Sequence, residues 1–289
     1  MDIIDFFTHY PDIFLMCVAA LSLLVGSFLN VLIYRLPRMI EQEWSQECRQ
    51  YLGLKETEED KKGLGLSLPF SHCPSCKKTL KPWHNIPLIS YLVLKGKCAY
   101  CQIKISIRYP LVETLTLVAS VYVAWRFGVS WQTAGAIAFT WIIIALTFID
   151  LDFQLLPDSL TFLLLGLGLF CSLFSVFCTS ADAIIGMLAG FIIFASIQWL
   201  FYLVTHKVGM GQGDFKFLAA LGAFLGWQML PEIILISSIS GLIICFAGMI
   251  IKREFKSVPL PFGPYLAIAG WICLMWGPEL LHIYLRMIR

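Results

Sequence analysis

Two aspartates stand where apolar runs end or begin. Asp150 closes the run Trp141-Ile-Ile-Ile-Ala-Leu-Thr-Phe-Ile149, and Asp214 ends Gly211-Gln-Gly-Asp and opens the next apolar run. A carboxylate at the rim of a bilayer segment costs free energy and marks a functional group by default. Two close carboxyls share a proton, so an ionised member can take a proton from water while its protonated partner donates to a carbonyl oxygen. The chemistry that fits is hydrolysis of an amide bond. No Ser/His or Cys/His arrangement competes: His206 is nearby, but no nucleophile is paired with it in the sequence.

A second cluster has a different chemistry. Cys73-Pro-Ser-Cys76 is followed, after 21 intervening residues, by Cys98-Ala-Tyr-Cys101. Two CxxC turns that each aim two sulfurs at one point match a tetrahedral zinc ribbon. With four thiolates and no open position, the metal is expected to be structural. The flanking His72 and His84 read as surface residues or outer neighbours. The other six cysteines (Cys17, Cys48, Cys171, Cys178, Cys245 and Cys273) are scattered, five of them in or beside apolar runs, and read as small hydrophobes.

The elements that must position these groups are membrane helices. Of 289 residues, 58% are hydrophobic and 14% charged, and the mean hydropathy is +0.78. A soluble domain carries about 25% charged residues. Apolar runs at 13–34, 111–127, 132–149, 159–178, 183–204, 215–230, 233–251 and 262–285 predict eight helices, an all-α polytopic membrane protein. A polar loop of about 35–110 holds all four clustered cysteines. The expected division is a first transmembrane helix over 1–36, a zinc-binding loop domain over 37–110 and a seven-helix membrane core over 111–289. Within the loop, 39–62 reads as an amphipathic helix followed by the acidic turn Glu56-Thr-Glu-Glu-Asp60. It is either a solvated insertion or a set of carboxylates that meets a basic peptide. No cleavable signal peptide is expected, because Met1-Asp-Ile-Ile-Asp5 is acidic and no small-residue cleavage site follows. A net charge of +2 gives no basic surface for nucleic acid.

Charge orients the helices. With eight alternating spans, all of the 21 Lys and Arg except Arg126, Arg286 and Arg289 fall on the side of the large loop. The positive-inside rule puts that loop in the cytoplasm and both termini outside. Asp150 and Asp214 then share one depth near the cytoplasmic face. Asp152 lies about 200° around a helix from Asp150 and cannot pair with it on one face. Asp158, after Pro157 and before Ser-Leu-Thr-Phe, has the signature of a helix N-cap, and Asp214 could be one too. Lys216 could act on a neighbouring carboxylate or bind a lipid phosphate. Spacing favours Asp150 and Asp214 but leaves Asp152 and Asp158 open.

Taken in order, these motifs resemble the bacterial type IV prepilin peptidases, the leader peptidase/N-methyltransferases of the GxGD aspartic protease group. The resemblance covers nearly the whole chain. It rests on Gly26-Ser-Phe-Leu-Asn-Val-Leu-Ile-Tyr-Arg-Leu-Pro37, the CxxC pairs, Asn85-Ile-Pro-Leu-Ile-Ser-Tyr91, Arg108-Tyr-Pro-Leu-Val-Glu113, Asp150-Leu-Asp152 with Leu156-Pro-Asp158, Gly211-Gln-Gly-Asp-Phe-Lys216 and Pro261-Phe-Gly-Pro264. It implies Asp150 and Asp214 as the catalytic pair. It implies, as substrates, type IV prepilins and type II secretion pseudopilins, whose basic leader ends in Gly before an apolar helix. It also implies the bacterial inner membrane as location, cleavage at the cytoplasmic face, and methylation of the new N-terminus from S-adenosylmethionine. No dinucleotide-type glycine fingerprint marks a methyl-donor site, and Gly96, Lys97 and Glu113 are the candidates. The competing class is a zinc-stabilised membrane transporter or assembly scaffold. Carboxylates at one rim rather than at mid-membrane, and the lack of an internal repeat, count against a transporter.

Overall fold

A computed structural model describes residues 3–54, 65–66, 72–73, 75–252 and 261–288. Among these residues the regular structure is helical, with two isolated β-bridges. The helices are α1 (Ile3–His9), α2 (Pro11–Tyr51), α3 (Ile89–Val93), α4 (Arg108–Phe127), α5 (Trp131–Phe153), α6 (Asp158–Leu173), α7 (Ser180–Thr205), α8 (Gln212–Leu225), α9 (Leu230–Lys252) and α10 (Gly263–Ile288). They form two compact units, Met1–Val129 and Ser130–Arg289.

Each of the eight apolar runs carries a helix. By length and composition five segments can cross a membrane: Pro11–Tyr51, Trp131–Phe153, Ser180–Thr205, Trp227–Ala247 and Gly263–Leu281. Of the remainder, α6 has 16 residues and α8 has 14. At 1.5 Å per residue α8 spans only ~21 Å, against a hydrocarbon core of about 30 Å. The run expected to continue to 230 stops at Leu225 because Gly226 takes φ +87°, a conformation that L side chains avoid.

In the first unit α2 packs along α4. Val18, Ser22, Gly26, Leu29 and Ile33 form one buried stripe on α2, and Val112, Thr116, Ser120 and Val123 face inward on α4. A Cβ on Gly26 would lie 3.0 Å from the Cα of Glu113, so glycine here sets how closely the backbones approach. The expected end of the first helix near 34–36 is not a break. α2 runs through Pro37 to Tyr51, 41 residues, so its length of ~60 Å carries its last turns well beyond an apolar layer. The amphipathic segment expected from 39 is the end of this same helix. The acidic turn Glu56–Asp60 lies outside the described residues.

In the second unit α8 is the centre, with Phe217, Leu218, Ala220, Leu221, Ala223 and Phe224 fully buried. It packs on α6, α7 and α10. Against α7 the approach is close enough that a Cβ on Gly186 would meet the Gly222 carbonyl oxygen at 2.2 Å, and one on Gly222 would meet that of Gly186 at 2.3 Å. Asp182, in the first turn of α7, accepts from Trp227 Nε1 at 2.9 Å and Gln228 Nε2 at 3.0 Å and so fixes the turn after α8.

Candidate functional site

The site of the second unit is built at three helix ends. Asp150 sits in the last turn of α5, and Gln154 in the left-handed conformation (φ +51°) caps that helix by donating to the Asp150 carbonyl at 2.9 Å. The helical rotation argued from sequence holds: Asp150 is 5% exposed, whereas Asp152 points outward. Asp214 sits in the first turn of α8 and is 9% exposed. Asp150 and Asp214 approach the same side chain: Leu156 packs against Gly213, next to Asp214, and against Gly263, the residue that contacts Asp150.

Asp150 is held from a third helix. The backbone N–H of Gly263, first residue of α10, donates to its Oδ2 at 2.9 Å. A Cβ at this position would lie 2.6 Å from the same oxygen and 3.0 Å from Leu156 Cδ2, so glycine is required for the contact. Leu156 is buried and also faces Gly213, where a Cβ would meet Leu156 Cβ at 2.9 Å. The side chain of Leu156 thus fills the space between the start of α8 and the start of α10. Spacing had assigned no role to Leu156 or Gly263, because their contacts join distant parts of the chain. The sequence signals were their places in the motifs Leu156-Pro-Asp158 and Pro261-Phe-Gly-Pro264, which gave neither residue a contact.

Two N-cap expectations are corrected. The N-cap of α6 is Pro157, and Asp158 is its first helical residue. Its carboxylate takes Lys216 Nζ at 2.7 Å on both oxygens. The cation next to Asp214 in sequence is therefore spent on α6, and it ties α6 to α8. The N-cap of α8 is Gly211, which excludes Asp214 from that role. The glycine-rich loop before α8 is pinned by Gln198 of α7, whose Oε1 accepts from Gly209 N at 3.1 Å and Met210 N at 3.0 Å.

Displacement of Asp150 is expected to cost more activity than stability. In Gly263→Ala the added methyl must push the carboxylate or the start of α10 aside, and a shift of about 1 Å in a catalytic group can cost ~10²-fold in rate. A hydrolytic assay of the purified variant beside a thermal melt checks this: kcat should fall steeply while the melting temperature moves by a few degrees.

The cysteine cluster lies in the first unit. The sulfurs of Cys73, Cys76, Cys98 and Cys101 all lie within 4.8 Å of one another, and Cys73 Sγ is 3.7 Å from Cys101 Sγ. A tetrahedral Zn–S distance of about 2.3 Å demands an S···S edge of ~3.8 Å, so the four residues fit a metal ion. The two turns repeat each other. Cys73 N donates to Lys78 O and Cys73 O accepts from Lys77 N, while Cys98 N donates to Ile103 O and Cys98 O accepts from Gln102 N. Lys77 and Gln102 both take positive φ, and bridges His72–Thr79 and Lys97–Lys104 close the two turns. Backbone N–H groups of Cys76 and then Ser75 pull the Cys73 thiol down to about 6, whereas at Cys101, against the pull of the Ile103 N–H, burial and the neighbouring sulfurs push the thiol up to about 11.

The methyl-donor candidates are placed by different contacts. Gly96 takes φ +68° in the turn after α3, its N–H donating to Tyr91 O at 2.9 Å, and Lys97 belongs to the second cysteine turn. Glu113 is buried in α4, where its Oε2 accepts from Leu88 N at 2.8 Å and its carboxyl group also meets Asn30. Asn30 in addition donates to Tyr109 O at 3.1 Å. These bonds hold together α2, α4 and the start of α3, so Glu113 has a structural task whether or not it meets a cofactor.

Comparison with known proteins bears on both units. Residues 20–127 match the bacterial peptidase A24 N-terminal domain, and residues 137–246 match the type IV leader peptidase family. A prepilin leader peptidase/N-methyltransferase of Pseudomonas aeruginosa is 48% identical over 286 residues, covering 99% of this chain and 98% of its own. The protein of that name from Aeromonas hydrophila is 48% identical over 275 residues, 95% of each chain. The one from Neisseria gonorrhoeae is 47% identical over 258 residues, 88% of this chain and 87% of its own. No solved structure matches the chain. With matches of this identity running almost end to end, the chain belongs to the type IV leader peptidase family, as an integral membrane protein of the prepilin leader peptidase/N-methyltransferase kind.

Proposed function

We propose that the protein removes the leader from type IV prepilins by a two-aspartate mechanism and then methylates the new N-terminus. The observation that carries the peptidase reading is the burial of Asp150 and Asp214 at the ends of separate helices that meet at Leu156, with Gly263 N–H on one oxygen of Asp150. In this reading the ionised aspartate takes a proton from water as it attacks the scissile carbonyl. The protonated aspartate donates to the carbonyl oxygen and later helps the amine leave. The Gly263 N–H orients Asp150 so that its other oxygen is left for the water. Leu156, Gly213 and the Asp158–Lys216 pair keep the start of α8 in register. Exposed Asp152 and ion-paired Asp158 are left out of the chemistry.

The four cysteines would hold a zinc ion with a structural role, which stiffens the loop between α2 and α4. S-adenosylmethionine would supply the methyl group, and Gly96, Lys97 and Glu113 remain the candidates near its site. Type II secretion pseudopilins, with the same leader chemistry, are proposed as further substrates. The charge asymmetry supports an inner-membrane location with both termini periplasmic and the aspartates facing the cytoplasm, among lipids that contact the apolar helix faces. The proposed functional division keeps the first span at 1–36, the zinc loop at 37–110 and the seven-helix core at 111–289.

Mass spectrometry of a prepilin incubated with the purified protein and S-adenosylmethionine tests the whole reading. The expected product lacks its leader and carries one added methyl group at the new N-terminus. A product without the methyl group leaves a peptidase alone, and an intact prepilin removes the proposal.

A further inference from the structure

We propose that α3 and its flanks form a lipid-docking surface that seats the cysteine ribbon on an anionic membrane leaflet. From Lys61 to Val112 the chain has nine Lys and Arg and no Asp or Glu. A zinc ion with four thiolates carries a net charge of about −2, which leaves the segment strongly basic. Lys81, Lys95, Lys97 and Lys104 are exposed.

The same region exposes aliphatic side chains that a water-facing surface would hide. Ile89, Leu92 and Val93 share one face of α3 at i, i+3, i+4 spacing and are 59%, 73% and 73% exposed. Ile86, just before them, is 42% exposed. None is needed for a ribbon core, because the cysteine turns are closed by their own backbone bonds.

The depth of this face is set by one bond. Leu88 N donates to Glu113 Oε2 at 2.8 Å, and Glu113 lies in the second turn of α4, beside Gly26 in the apolar run of α2. Leu88 takes an unusual backbone conformation (φ +57°, ψ −46°) to make this contact. The start of α3 is thus fastened to two helices at a level that lies inside their apolar runs. At that level Ile89, Leu92 and Val93 meet the boundary between headgroups and acyl chains, and the lysines that follow meet headgroup phosphates. Apolar side chains at the boundary with lysines above them form the pattern by which peripheral segments bind anionic bilayers. The occupant is therefore an anionic lipid surface rather than a protein.

Hydrogen exchange of the full chain, with its metal, in lipid nanodiscs tests this. Amides of 89–97 should exchange several-fold more slowly in nanodiscs containing phosphatidylglycerol than in nanodiscs of phosphatidylcholine alone. The double variant Leu92→Glu/Val93→Glu should lose that difference while the amides of Cys73 and Cys98 stay protected, which shows the ribbon still folded. Equal exchange in the two lipids would overturn the proposal. So would protection that appears only when a prepilin is added, which would make this a protein-docking face. The proposal needs the membrane reading but not the peptidase reading. A preparation that cleaves nothing yet shows the lipid-dependent protection would remove the latter and keep the former.

Discussion

Replacing Asp150 or Asp214 with Asn is expected to abolish leader removal while the helices stay packed. Asn fills the same space, and at position 150 its carbonyl oxygen can still accept from Gly263 N–H, so the fold contact survives. What is lost is the group that takes or gives a proton, and each such loss costs about 10²–10⁴-fold in rate. Because the two carboxyls act as one unit, the double variant should be no slower than either single one. The assay is the rate of leader removal by each variant in membranes. A variant that still cleaves at the unaltered rate would eliminate its residue from the mechanism. The same variants should still methylate a prepilin whose leader has already been removed. Loss of both activities together would point instead to a damaged fold.

Cys98→Ser is expected to have the largest effect on folding. Cys98 is 3% exposed, and its backbone carries both bonds that close the second cysteine turn. Among the described residues the ribbon has few buried apolar groups beyond its cysteines, so a bound metal would supply most of its stability. Structural zinc contributes about 10–16 kcal/mol in small zinc-finger peptides, far more than a segment of this size can replace. Metal analysis of the purified protein should give about one zinc per chain. In Cys98→Ser the metal content should fall close to zero. Limited proteolysis should then cut between 72 and 105 while the fragments of α5 to α10 persist. Metal-free protein that keeps this segment resistant to protease would contradict a structural metal.

What could be read from the residues was mostly local. Helical rotation alone says that Asp150 and Asp152 point apart, and in the structure Asp150 is the buried one and Asp152 the exposed one. The two CxxC turns predict four converging sulfurs, because each turn is a short local motif. Contacts across the chain were not legible. Gly263 reaches Asp150 over 113 residues, and Lys216 reaches Asp158 over 58. Helix-start chemistry misplaced Asp158 for that reason: an N-cap aspartate and an ion-paired first-turn aspartate look alike in sequence. Helix ends were also misjudged. The first helix was expected to end near 34–36 because the apolar run stops there, but α2 continues through Pro37 to Tyr51 as a polar helix. The stop of α8 at Leu225 depends on the positive φ of Gly226, which apolar periodicity does not reveal.

The most direct test of the two-aspartate site is a structure with a bound prepilin peptide whose scissile carbonyl is replaced by a hydroxyl-bearing carbon. That hydroxyl occupies the position of the attacking water or of the carbonyl oxygen. The expected result is a hydroxyl within about 3 Å of a carboxyl oxygen of both Asp150 and Asp214, with Gly263 N–H still on Asp150. A hydroxyl held away from either aspartate, or by Asp152 or Asp158 instead, would contradict the account.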